Sequence, residues 1–95
     1  MANRLLVLYI RENGQAINRL GISISKKVGG AVIRNRIKRL IKEQFRLQEG
    51  NLLKGYDLVI VVRPATAELE KDQAFNQIGA SLQNLLNRQK IRGTP

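Results

Sequence analysis

The chain has 95 residues, no Cys and no His, and a formal net charge of +10 at pH 7. These totals exclude disulfides, thiolate chemistry and Cys-ligated zinc, and they remove the commonest general base and metal ligand. They leave one small domain over 1–95 whose charge calls for a polyanionic partner, either nucleic acid or an anionic membrane surface.

An apolar content of 43% is enough for a packed core. A chain of this length still buries only about 60–65% of its unfolded surface, so modest stability is expected. No apolar run approaches the roughly 18 residues of a membrane span. The opening MANRLLVLYI has one basic residue and no small-residue cleavage site. It reads as a strand rather than a signal peptide, and the cytoplasm is the expected compartment.

Residues 4–11, RLLVLYIR, are apolar and β-prone between charges, which predicts a first strand. Asn13-Gly14 suits a tight hairpin. From Leu20 the chain alternates, with Leu20, Ile22 and Ile24 on one side and Gly21, Ser23 and Ser25 on the other. This second strand is expected to pair antiparallel with the first. Its face of small residues suggests a sheet surface that something approaches closely.

Gly29-Gly30 ends the strand and starts a helix over about 31–47. Ile33, Ile37, Leu40, Ile41 and Gln44 share one arc of roughly 100°, with Phe45 at its edge. Beside them Arg34, Lys38, Lys42 and Arg46 form a ladder at four-residue spacing, Asn35 and Arg39 continue the polar arc, and Arg36 lies further round. Like charges at that spacing repel by a few tenths of a kcal/mol each. An ordinary solvated helix intersperses acids, whereas residues 26–46 hold eight of the seventeen Lys and Arg and only Glu43 as an acid.

Residues 56–63, YDLVIVVR, contain five consecutive apolar positions, expected as a strand buried on both faces and ended by Pro64. A last helix is expected over 66–90, with Phe75, Ile78, Leu82, Leu85 and Leu86 covering the sheet. Gly79 within it marks a close helix–sheet approach, or only a loss of about 1 kcal/mol of helix stability. Glu68, Glu70 and Asp72 near its start fit helix-dipole compensation better than a metal site. Further positive charge gathers at Arg88, Lys90 and Arg92. The order β-β-α-β-α predicts an α+β fold, a small α/β sandwich with a mixed sheet of about three strands and two helices.

The Gly-Gly element lacks the P-loop pattern. Binding is better supported than catalysis. Lys26 and Lys27 before a helix N-terminus suit a phosphate, and the 34–46 face can neutralise several more. Asn35 can hydrogen-bond a base edge, sugar or phosphate.

Lys27-x-Gly29-x-Ala31-x-x-Arg34-Asn35-Arg36-x-Lys38-Arg39-x-x-Lys42-Glu43-x-Phe45-Arg46 closely resembles the signature of the bacterial ribonuclease P protein subunit. Gly21-Ile-Ser-Ile-Ser-Lys-Lys matches that family's preceding strand, and Ala2-Asn3-Arg4, Tyr9, Tyr56-Asp57 and residues 82–88 extend the likeness. The resemblance implies a left-handed β-α-β crossover and partnership with the catalytic ribonuclease P RNA. Together they remove the 5′ leader of precursor tRNA, with Mg²⁺ held mainly by the RNA. It implies a non-catalytic protein whose RNA contacts map onto Arg34, Asn35, Arg36, Lys38, Arg39 and Lys42, and the charge reading adds Lys26, Lys27 and Arg46 to the expected RNA-binding residues; a monomer is expected. It also implies a sheet cleft for the leader, with Val7 and Tyr9 on its wall. Tyr9 then either stacks on a leader base or packs in the core.

Gly30 stands where the family commonly has Asn, so a side-chain cap is lost at a position Gly tolerates. The family also has a basic N-terminal helix and a short strand ahead of the point where this sequence begins. That helix supplies the cleft's opposite wall. A trimmed form, a mis-started reading frame and a minimal variant all fit, and weaker leader binding with intact RNA binding is the expectation. The competing readings are a general RNA- or DNA-binding module, such as a ribosomal-protein-like domain, and an autonomous nuclease.

Overall fold

The computed structural model describes residues 1–91. In chain order it contains β1 (Leu6–Glu12), β2 (Arg19–Ser23), α1 (Ala31–Glu49), β3 (Tyr56–Val62), a 3₁₀ turn (Pro64–Glu68) and α2 (Lys71–Arg88). Arg92 of the expected C-terminal cationic group lies outside the described residues. The expected β-β-α-β-α order is present.

The sheet order is β1-β3-β2. β1 pairs with β3 antiparallel from Leu6 opposite Val62 to Glu12 opposite Tyr56. β2 pairs with β3 in parallel from Arg19 opposite Asp57 to Ser23 opposite Val61. β1 and β2 therefore run antiparallel as expected, but they are not partners, because β3 lies between them. The reason is hydrogen bonding. β3 is the most apolar segment, and a central position gives its backbone partners on both edges. The 13–18 loop turns toward β3 rather than closing a hairpin. Asn13 N donates to Gly55 O at 2.8 Å, and Asn18 Oδ1 accepts from Tyr56 N at 2.9 Å. Gly14 does take a left-handed conformation, φ 69°, inside this longer loop.

One contiguous core joins Leu6 and Leu8 of β1, Leu58, Ile60 and Val62 of β3, Ile37, Ile41 and Phe45 of α1, and Ile78, Leu82, Leu85 and Leu86 of α2. Both helices thus cover one face of the sheet. The expectation that β3 is buried on both faces is overturned: Leu58, Ile60 and Val62 face the core, while Val59 is 41% exposed. Among the described residues no layer covers the other face.

The helices also pack on each other, and Gly79 belongs to that contact rather than to a helix–sheet approach. A Cβ at Gly79 would lie 2.5 Å from Gln44 Cδ. Gln44 is buried and donates from Nε2 to Phe75 O at 3.0 Å. The expected last helix begins late. Pro64 opens a 3₁₀ turn, Thr66 Oγ1 donates to Leu5 O at 2.8 Å, and Leu69 is extended before α2 starts. Phe75 is only half-buried.

Residues 1–3 fold back along β1. Leu8 N donates to Met1 O at 2.8 Å, and Ala2 bridges to Val7. Asn3 secures this return: its Oδ1 accepts from Leu6 N at 3.0 Å and from Ser81 Oγ at 2.7 Å.

Candidate nucleic-acid interface

The strand registers arrange the open sheet face as three rows. Val7, Val61 and Ser23 form one, Tyr9, Val59 and Gly21 the next, and Arg11, Asp57 and Arg19 the third. Alternation along a strand sends these residues away from the helices. Tyr9 is 58% exposed, so of its two expected settings the structure chooses the open face over the core. A Cβ at Gly21 would meet Val59 Cγ2 at 3.7 Å and Leu58 O at 3.9 Å, both ordinary van der Waals contacts. Gly21 keeps the floor beside Tyr9 low and flat.

The third row closes one end of this face with charge. Asp57 accepts from Arg19 Nε and Nη2, both at 2.7 Å, and from Asn13 Nδ2 at 3.0 Å. Arg11 stands 3.8 Å away. The Arg19 and Asn13 hydrogen bonds favour the carboxylate and hold the Asp57 pKa down to about 2.

The basic helix begins at Gly30, which caps it without a side-chain hydrogen bond, as the Gly in that position predicts. Val28 is buried and anchors the approach loop, so Lys26 and Lys27 are exposed ahead of the helix. Arg34 Nε donates to Gly29 O at 3.1 Å, which fixes its guanidinium against the loop. Arg34, Asn35 and Lys38 line a recess of about 160 Å³ with Ile22 and Ile24. Arg39 and Lys42 continue the exposed face. Arg46 ends it with part of its charge spent, since Arg46 Nε bonds Glu43 Oε2 at 3.1 Å. That bond lowers the Glu43 pKa and raises that of Arg46.

The structure does not bring Arg36 to this face. Two residues at about 100° each carry it roughly 200° from Arg34, to the far flank of the buried stripe. There it lines a different groove with Val32, Ile33, Ala67, Leu69, Glu70, Lys71 and Asp72. Ile33, expected in the buried arc, is 38% exposed at that groove, because the linker before α2 stands opposite it instead of the sheet.

Sequence reasoning missed Val59 and Val61 as parts of the open face. A run of five apolar residues carries no alternation to reveal which side faces solvent. The usable signal was the alternation in β1 and β2, once β3 is placed between them.

Asn35 and Glu43, the latter paired with Arg46, are the side-chain oxygen ligands near the cationic face, a sparse set for a hard cation that takes about six oxygens. Among the described residues no group of three or more acids is placed to hold a metal. Among them also no helix is long and apolar enough to cross a membrane.

A family model described as Ribonuclease P matches residues 1–89. A ribonuclease P protein component from Clostridium botulinum is 53% identical over 91 residues, 95% of this chain and 78% of its own length. Its counterpart from Caldanaerobacter subterraneus is 46% identical over 88 residues, 93% of this chain and 72% of its own. The solved RNase P protein of Staphylococcus aureus superposes with a TM-score of 0.85 at 36% identity, covering 98% of this chain and 82% of that one. That of Thermotoga maritima gives 0.82 at 35% identity, with 93% and 80% covered.

Proposed function

The chain belongs to the bacterial ribonuclease P protein family, and on that premise we propose how its two surfaces serve an RNA enzyme. It is the RNA-binding protein component of the enzyme that matures the 5′ end of tRNA, and its partner is ribonuclease P RNA. A general nucleic-acid module is not favoured by this membership.

The α1 face is the contact with that RNA. Lys26, Lys27, Arg34, Asn35, Lys38, Arg39, Lys42 and Arg46 form it, and Arg36 is the one residue of the expected set that points elsewhere. Fixed guanidinium groups grip phosphates bidentately, and exposed lysines add charge without fixed geometry. The open sheet face receives the single-stranded 5′ leader of precursor tRNA. Tyr9 offers a stacking surface, and Val7, Val59 and Val61 an apolar floor.

The observation that carries this reading is the join between the two surfaces. The recess holding Arg34, Asn35 and Lys38 is walled by Ile22 and Ile24, whose neighbours Gly21 and Ser23 belong to the open face. Ile22 and Ile24 point to the helix side of β2 and Gly21 and Ser23 to the other, so a strand leaving the RNA centre reaches the open face by passing over the β2 edge. Mg²⁺ belongs with the RNA phosphates, in keeping with the poor donor set of the protein face. The protein's cations screen phosphate repulsion and so reduce the Mg²⁺ the RNA requires. The protein works as a monomer in the cytoplasm.

The test adds the chain to a bacterial ribonuclease P RNA at low Mg²⁺ and follows leader removal. Stimulation is expected, and its absence overturns the reading, as does cleavage by the chain without RNA. Arg34→Ala should lose roughly 1.5–3 kcal/mol of RNA affinity, the usual range for a charge-assisted hydrogen bond. Lys71→Ala, away from this face, should leave it unchanged.

A further inference from the structure

The groove on the far flank of α1 is not used by either surface above. It has a volume of about 700 Å³ and runs between the first turns of α1 and α2. Its floor is apolar, formed by Val32, Ile33, Ala67 and Leu69. Val32 is 83% exposed, the most of any large apolar side chain described. Two features make this more than an uncovered face. Arg36 lines the groove, and its Nε is buried within the protein with no hydrogen-bond partner, an unfavourable state for a charged group. Opposite it, Glu70 and Asp72 line the groove and Glu68 lies just before them. These are three of the chain's seven acids, and none has an ion pair among the described residues. Among the described residues Lys71 is the only other cation on the lining.

We propose that this groove is a docking site for an extended protein segment that pairs apolar side chains with Lys or Arg. Each unmet need then has a counterpart. Arg36 turns its guanidinium outward to donate to the segment's backbone carbonyl, the segment's apolar side chains cover Val32, Ile33 and Leu69, and its cation meets Glu70 and Asp72. RNA supplies the acceptor but brings phosphates against the acids, so it satisfies Arg36 and is repelled by the opposite rim. A chain of charge +10 repels a cationic peptide everywhere except where acids gather, which makes such binding diagnostic.

The experiment titrates the ¹⁵N-labelled protein with a ten-residue peptide of alternating Leu and Lys, and separately with a single-stranded RNA oligomer. The peptide should shift the amides of Val32, Ile33, Leu69, Glu70 and Asp72 and the Arg36 Nε–H. Val32→Ser, and separately Glu70→Lys with Asp72→Lys, should each weaken peptide binding about tenfold or more, as loss of an anchor or of charge complementarity does. All three positions are exposed, so the fold is retained, as unchanged shifts at Ile60 and Leu82 will report. Stimulation of the RNA enzyme should be unaffected by Val32→Ser. The proposal is overturned if millimolar peptide shifts nothing in the groove. It is equally overturned if the RNA oligomer shifts the groove as strongly as the Arg34 flank. Groove shifts that depend on protein concentration alone would assign the site to a second copy and also overturn it.

Discussion

Asp57 touches all three strands. It sits in β3, accepts hydrogen bonds from Arg19 of β2 and from Asn13 beyond β1, and has Arg11 of β1 at 3.8 Å. Its pKa in the folded chain is about 2, against about 3.9 for an unfolded aspartate. Between these values the unfolded chain holds the extra proton, so stability falls as pH falls through that window and is complete above it. Thermal unfolding of the protein and of Asp57→Asn should therefore differ at pH 5 and converge toward pH 2. A gap that persists at pH 2 would assign the effect to something other than the carboxylate charge. The partners Arg11, Arg19 and Asn13 could not be assigned from the sequence, because they lie in three segments joined only by the strand order. The Arg-Asn-Arg motif teaches a related lesson. Its three residues are adjacent in sequence, but a helix sends its two arginines to different sides; the wheel separated them, and only the fold placed the groove that Arg36 lines.

At the scale of elements, α1 was readable because its apolar and cationic positions each repeat at helical spacing. Its end at Glu49 lies two residues past the expected one. The helix–helix contact was not readable. Gly79 carried no sign of its partner, and Gln44 looked like one more member of an apolar arc. Their contact is tight: the Gln44 amide occupies the space a Gly79 side chain would need. Gly79→Ala should gain up to about 1 kcal/mol in helix propensity and lose about 1–3 kcal/mol to overpacking against the hydrogen-bonded amide. Net destabilisation in a urea melt is expected. In a Gln44→Ala background the same substitution should become neutral or stabilising, and simple additivity of the two changes would refute the packing account.

For the whole molecule, two surfaces with different physics predict two different responses. Replacing Lys38 with Ala should weaken binding to ribonuclease P RNA and reduce the log–log salt slope by roughly 0.7–0.9, one phosphate contact. Tyr9→Ala should leave that slope unchanged, because stacking releases no counterions, and should remove the affinity that leader nucleotides add to precursor tRNA. Binding constants measured over a salt series and a leader-length series separate the two. A change in salt slope on Tyr9→Ala would merge the surfaces into one electrostatic patch.

The sequence by itself determined the class of partner, the order of elements, the basic helix and the family likeness. Charge excess, hydrophobic period and a contiguous motif are all local properties, and they survive without knowledge of the fold. Only the tertiary structure decided that β3 separates β1 from β2, that both helices cover a single face, and that Val59, Val61 and Tyr9 share the open one. It also decided that Arg36 faces a groove of its own. Each of these depends on which segments pair across the chain, a choice set by backbone hydrogen bonding and core burial summed over all elements at once.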